Sequence, residues 1–445
     1  MRVAAIMCVL MLAGCASYTP RPLDSNSGAL AAPVAQVLEQ QASQIKRPWL
    51  APVAVDLSAP LTPDAIAAVT VVNNPDLIAL RARAGVSDAQ VFSAGLLPDP
   101  TFSIGISKVL SGPDTLHDLS SALGFDLNAL RTRAVRRQQA VAQDKQVRLD
   151  LAWAEWQTAG QARLQAVRIL RLETIATMAR ASHDAARSLL ERVNRAALRG
   201  DIAGDRLQAA SLAANGAHET MVASESDLAT ARMELRKLMG LPPGFPLALA
   251  APAPLAAPPS AETLFAIALE NRTDLAALQA GYEAQEATVH QEVMAQFPNL
   301  GLTLNSQRDS AGNFLLGPSI DFTLPLWNRN RGAIAVERAT REALRAEYDA
   351  RLFQTRADIA AASAGIVIAL QRRAESLADI PKLEHFADAS RQAAKRGDLS
   401  LETADNAEQT LRDRRMQLAQ AQQNCDEQMI ALELLTGTPK EAWPR

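Results

Sequence analysis

The chain has 445 residues, 48% of them hydrophobic but only 4% aromatic, so its apolar content is mostly Ala, Leu and Val. Alanine favours helix and buries little area per residue, a composition suited to long, closely packed helices rather than a deep aromatic core. Charged residues are 21% and the formal net charge is −3, which excludes a polybasic surface and leaves nucleic acid out as a partner. No run of 18 apolar residues occurs beyond the N-terminus, so no membrane-spanning helix is expected.

The N-terminus points to a compartment. Met1-Arg2 is followed by an apolar stretch from Val3 to Leu12, then by Leu12-Ala13-Gly14-Cys15 and a polar, Pro-containing segment. This is the pattern of a bacterial lipoprotein signal, with residues 1–14 as signal peptide and Cys15 as the acylated first residue of a lipid-anchored segment 15–63. Ala16 after the cysteine favours the outer membrane. A covalent lipid on Cys15 is the one attached group expected, with no cofactor and no resident metal. Cys8 leaves with the signal, so Cys425 is the one cysteine left free and no intramolecular disulfide can form.

The predicted elements come twice. In the first copy (64–243) a helix runs over about 64–97, strands over about 100–108 and 119–127, and a long helix over 129–199. Gly200 then takes a turn, Asp201 is expected to cap the next helix, and that helix returns to Leu238. Prolines at 242, 243, 246, 252, 254, 258 and 259 make 244–261 an extended linker. The second copy (262–445) gives a helix over 262–296, strands over about 299–305 and 314–326, a long helix over 332–396 with Pro381 expected to kink it, a turn at Gly397 and a return over 398–435. Matched motifs fix the duplication: Asn74-Pro75-Asp76-Leu77 with Arg272-Thr273-Asp274-Leu275, Arg199-Gly200-Asp201 with Arg396-Gly397-Asp398, and Leu238-Met239-Gly240 with Leu435-Thr436-Gly437.

Two constraints follow. Each strand alternates apolar with small or polar residues and has the length a tilted strand needs to cross hydrocarbon; four strands cannot close a barrel, so a membrane role requires several chains to share one. The first helix of each copy plus its returning arm sums to about the length of the long arm, which implies paired rods of about 100 Å at 1.5 Å per residue. Steps of three and four mark the seams of the second hairpin: Ile359, Ser363, Ile366, Leu370, Arg373, Leu377 and Ile380 on one arm, and Ala407, Leu411, Arg414, Leu418, Ala421, Cys425, Gln428, Leu432 and Leu435 on the other. Cys425 reads as a small buried hydrophobe of that seam.

The Cys15 motif, the duplicated unit, Asn74-Pro75-Asp76-Leu77, Gly95-Leu96-Leu97-Pro98-Asp99-Pro100 and Pro325-Leu326-Trp327-Asn328-Arg329-Asn330-Arg331-Gly332 together resemble the TolC-type outer-membrane efflux proteins. The resemblance implies a mainly α fold with a small β part: a homotrimer in which three chains share a twelve-stranded transmembrane β-barrel, continued by an α-helical barrel through the periplasm. It implies an exit duct in outer-membrane lipid, docked through a periplasmic adaptor (membrane fusion protein) onto an inner-membrane RND-type transporter. The 325–332 motif most resembles the heavy-metal-cation branch, with drugs or other small molecules as the alternative cargo. By the same resemblance Gly200 and Gly397 are the adaptor-facing tips, and Asp201, Asp205, Asp398, Glu402 and Asp405 are the candidate entrance-gate acids. No enzyme is expected: histidines 117, 183, 218, 290 and 385 read as scattered, and no phosphate loop or Cys-x-x-Cys occurs. The rival from another class is a periplasmic coiled-coil adaptor or scaffold lipoprotein without a pore, against which the four strands argue.

Overall fold

The structure, a computed structural model, describes residues 18–23, 31–50, 53–108, 110–111, 117–251 and 257–444; Cys15 and the signal segment lie outside the described residues. Helices α1 (Ala35–Gln44), α2 (Pro63–Asn73) and α3 (Pro75–Gly95) precede strands β1 (Thr101–Lys108) and β2 (His117–Asp126). Next come the long α4 (Leu127–Leu198) and its return α5 (Gly204–Leu238). The second copy repeats this order with α6 (Ala261–Asn271), α7 (Thr273–Met294), β3 (Leu300–Arg308), β4 (Phe314–Phe322), α8 (Arg331–Arg396) and α9 (Leu401–Thr436).

The helices expected over 64–97 and 262–296 are each broken in two. Pro75 has no N–H and drives the residue before it out of the helical region, so Asn74 is extended (φ −63°, ψ 124°) and its side chain caps α3 by accepting from the Leu77 N–H at 2.9 Å. The second break, at Arg272 (φ −71°, ψ 110°), needs no proline; the guanidinium instead clasps Asp274 in the first turn of α7 at 2.6 Å. The stacked rods are therefore shorter than the sequence sum implies: α3 and α5 supply 21 and 35 residues beside the 72 of α4, and α7 and α9 supply 22 and 36 beside the 66 of α8. At 1.5 Å per residue α4 alone is about 108 Å long. Helix α2 turns aside instead, burying Ile66, Val69 and Val71 with Trp156, Ala159 and Ile169 of α4 in the largest core cluster.

The end-to-end stacking is held by explicit joints. Asn73 Nδ2 donates to the carbonyls of Met239 (2.8 Å) and Gly240 (3.0 Å), and Asn74 Nδ2 donates to that of Leu238 at 2.8 Å, so the start of α3 satisfies the orphan carbonyls that end α5. In the second copy Arg272 Nη1 reaches the Leu435 carbonyl at 3.3 Å. The joints explain the repeated glycine: Gly240 and Gly437 have φ of +65° and +73°, and a Cβ at Gly240 would lie 2.3 Å from the Asn73 carbonyl oxygen.

Side by side, the order is α3/α5, then α4, then α7/α9, then α8. Glu155 of α4 ties three segments together, accepting from Arg81 of α3 at 2.7 Å and from Arg47, which follows α1, at 2.8 Å. Burial pushes its carboxyl up, but the hydrogen bonds from Arg47 and Arg81 outweigh that and hold it below the ordinary glutamate range. The predicted seam is largely the observed one: Ile359, Ile366, Cys425 and Leu432 share one core cluster, and Ala407 and Leu411 another. Leu377 is an exception at 43% exposed, and α8 is continuous through Pro381. One stretch of α8 is long and apolar enough, by composition, to cross a membrane and is little buried within the chain, contrary to the expectation of no such helix.

Candidate functional site

The four strands form one antiparallel sheet in the order β1-β2-β3-β4. Register carries the alternation of each strand across the whole sheet. Rows such as Phe102–Leu123–Leu304–Pro318 and Phe125–Leu302–Ile320 lie on one face with Ile104, Ile106, Leu300, Leu316 and Phe322. The opposite face carries Thr101, Ser103, Ser107, Ser120, Asn305, Gln307 and Ser319, with internal bonds such as Asn305 Nδ2 to Ser319 Oγ at 2.8 Å. The apolar face has no cover among the described residues: Phe102, Ile104 and Ile106 are 69%, 68% and 72% exposed. Such a face fits lipid on one side and water on the other.

Sequence reading missed part of the polar face. Asp126 and Asp321 both register against Gly301, so two carboxylates sit on one rung at the helix end of the sheet, beside an open depression of about 530 Å³ also lined by Asp99, Asn128 and Asn299. With Asp118 at the other end, the polar face carries acids and no Lys or Arg among the described strand residues. The repeat held the signal: Phe125-Asp126-Leu127 and Ile320-Asp321-Phe322 each place an acid between two apolar residues.

Strand β4 stops at Phe322, short of the expected 326. Pro325 cannot donate to a ladder, and Leu324, Leu326 and Trp327 are exposed. Arg329 and Asn330 then adopt left-handed φ of 47° and 54°, and Asn330 Nδ2 donates to Glu292 Oε2 at 2.6 Å, aligning the start of α8 with α7.

At the opposite end of the molecule Gly200 and Gly397 turn the hairpins with φ of +77° and +85°. Asp201 does not cap α5, which starts at Gly204 behind Ala203 with no side-chain cap; Ser400 caps α9 by accepting from Thr403 N–H at 3.1 Å. Each Arg-Gly-Asp instead closes on itself, Arg199 to Asp201 at 2.8 Å and Arg396 to Asp398 at 2.9 Å. Asp405 and Glu402 pair across the hairpins, with Arg192 at 2.7 Å and Arg206 at 3.3 Å. Asp205 lies exposed in the first turn of α5. Four of the five candidate acids thus hold an arginine, and the two hairpin ends are joined by two ion pairs.

The two flanks of the molecule match in kind. One presents α3/α5 below the free edge of β1, the other presents α8 below the free edge of β4. Exposed apolar residues line both: Ile78, Val86, Phe92, Leu212 and Val222 on the first, and Phe353, Val367, Ile368 and Phe386 on the second.

Residues 264–438 match the family described as outer membrane efflux protein. No curated protein matches the chain by sequence. Among solved structures the chain resembles the CmeC outer membrane channel of Campylobacter jejuni (12% identity, TM-score 0.70, covering 84% of this chain and 85% of that one). It also resembles the outer membrane protein VceC of Vibrio cholerae (16%, TM-score 0.68, 85% and 96%) and the open state of the MtrE outer membrane channel of Neisseria gonorrhoeae (18%, TM-score 0.67, 84% and 88%). The second repeat carries the sequence signature of outer-membrane efflux proteins, and the chain as a whole has the fold of these channels.

Proposed function

We propose that the protein is the outer-membrane exit duct of a tripartite efflux pump, a homotrimer that conducts cargo passively while an inner-membrane transporter supplies the energy. The observation that carries this reading is the sheet: among the described residues one face is uncovered and apolar, the other polar, and both edges are unpaired. Open edges are not tolerated in lipid, so β4 of one copy must pair with β1 of the next, and the α8 flank then meets the neighbour's α3/α5. That contact is head-to-tail and closes as a ring; three copies give twelve strands. Heat-modifiable, SDS-resistant trimers in outer-membrane fractions, with ion conductance on reconstitution into planar bilayers, are the expected result. A soluble, non-conducting species recovered from the periplasm would instead favour the adaptor or scaffold reading.

The finer reading is a duct for heavy-metal cations. It rests on the 325–332 motif and on a polar face that, among the described strand residues, carries Asp118, Asp126 and Asp321 and no Lys or Arg. Threefold repetition turns each acid into a ring that favours cations in the lumen. Asp126→Asn with Asp321→Asn should lower the cation-over-anion permeability ratio read from reversal potentials; an unchanged ratio removes this support and leaves drugs or other small molecules as equal candidates. The lipid anchor is tested apart from the pore, since Cys15→Ser should abolish palmitate labelling. The entrance is assigned to the hairpin tips at Gly200 and Gly397, which would meet the adaptor, and to the acids Asp201, Asp205, Asp398, Glu402 and Asp405 beside them. Asp398→Ala with Asp405→Ala should raise single-channel conductance, and unchanged gating would remove the assignment.

A further inference from the structure

Two of the five histidines are not scattered. His183 and His218 lie 17 residues before and 18 after Gly200, so the α4–α5 hairpin brings them to the same height on facing helices. Their ring centroids are 5.3 Å apart with the planes tilted by 50°. This spacing has a chemical reading. With Zn–N bonds of about 2.0–2.1 Å and a ring nitrogen about 1.2 Å from its centroid, two imidazoles on one tetrahedral zinc have centroids about 5.2 Å apart.

The surroundings leave the pair available. His183 Nδ1 is buried, makes no hydrogen bond and faces the Asp184 carboxylate at 3.3 Å, so Nε2 is the nitrogen left for a metal, and a metal there would leave Nδ1–H to donate to that carboxylate. The neighbouring arginines are already engaged, Arg180 with Glu225 and Arg187 with Glu191. His218 is exposed, so an ion reaches the pair from solvent. The second hairpin has no equivalent: the positions matched by the 197-residue offset between the two Arg-Gly-Asp turns are Ile380 and Arg415, and Arg415 is tied to Glu384 at 2.7 Å.

We propose that His183 and His218 form a binding site for one divalent transition-metal cation of the zinc, copper or nickel type, clipping α4 to α5, with Asp184 orienting His183 and water completing the coordination. No cluster of three or more potential ligands occurs among the described residues, so this is a two-imidazole site of modest affinity. It is independent of the duct reading.

The test is calorimetric titration of the tag-free full chain in detergent with zinc chloride alone. The wild type should bind one zinc ion per chain; His183→Gln and His218→Gln should each weaken binding at least tenfold, while His385→Gln leaves it unchanged. Zinc should also raise the Tm of the wild type but not of either variant, whose metal-free Tm and circular dichroism confirm that they fold. Absence of stoichiometric binding to the wild type, zinc binding weakened less than tenfold in either single variant, or loss of binding in His385→Gln would overturn the site.

Discussion

The two faces of the sheet can be tested by moving one charge by one residue. Ile104 is the fourth of the eight residues of β1, on the apolar face and 68% exposed; Ser103, directly before it, lies on the polar face. At about 3.4 Å per residue Ile104 sits about 10–14 Å from either end of its strand, near the middle of an apolar band about 25 Å tall. An arginine on the lipid face at that depth costs about 2–4 kcal/mol per chain, and about three times as much for a threefold assembly. The same arginine on the lumen side stays in water. Ile104→Arg should therefore cut the yield of heat-modifiable trimer in the outer membrane severely and lower the urea midpoint of what assembles, while Ser103→Arg assembles near wild-type level with altered conductance. Equal assembly of both variants, or a larger defect in Ser103→Arg, would refute the assignment of the faces.

Other substitutions probe the helical part. Gly240→Ala places a Cβ against the Asn73 backbone at a positive φ, so it should lower the Tm by several degrees and loosen the α3–α5 joint, read as faster proteolysis beside the Pro-rich linker. Glu155→Gln removes the carboxylate shared by Arg47 and Arg81 and should cost about 3–5 kcal/mol, read as a shift in denaturant midpoint. Because the folded carboxyl is held below its ordinary value of 4.5, this contribution is present above that pH and fades as pH falls below it. Glu433 behaves oppositely: burial raises its carboxyl from 4.5 to about 7 against the pull of Arg163 and Lys440, so the fold is most stable below the unfolded value of 4.5 and loses stability as pH rises from there to about 7, above which the loss is complete. Glu433→Gln should flatten that loss, by about 3 kcal/mol in the limit at pH 8, and parallel melting curves over pH 5–8 would count against it.

What the sequence made legible was periodic or repeated. Alternation in Phe102-Ser103-Ile104-Gly105-Ile106 is a local signal and yields both the strand and its faces, because side chains on a strand have period two. The seam positions Ile359, Ile366, Cys425 and Leu432 were likewise readable, since a helix paired along its length buries a fixed stripe. The breaks at Asn74 and Arg272 were harder. Pro75 is a clear signal, but proline is also well tolerated in the first turn of a helix, and the Arg272 break is set by its clasp on Asp274 and by the α9 terminus against it, neither of which is local. The expected cap at Asp201 failed for a similar reason: an exposed arginine two residues earlier took the carboxylate first. The histidine pair was missed because its signal is mirror symmetry about Gly200, invisible to a search for fixed motif spacing.

The contrast between the helix joints and the hairpin tips bears on how the proposed duct would open. The joints of the stacked helices are hydrogen bonds onto the carbonyls that end a helix, from the Asn74 amide to Leu238 in the first copy and from the Arg272 guanidinium to Leu435 in the second, where separation would expose unsatisfied carbonyls. The hairpin ends are held together differently. Arg192–Asp405 and Arg206–Glu402 link the first hairpin to the second through partly or fully exposed side chains, and water takes over each partner when they part. Little free energy therefore separates joined from parted tips, and a docking partner with modest differential affinity can shift the balance. If these pairs hold the entrance together, Arg192→Ala with Arg206→Ala should reproduce the conductance increase expected of Asp398→Ala with Asp405→Ala, and raising ionic strength should narrow the difference between wild type and variant. An arginine double variant that conducts like the wild type while the aspartate variant opens would show that the acids act as a lumen ring instead of as partners of the arginines.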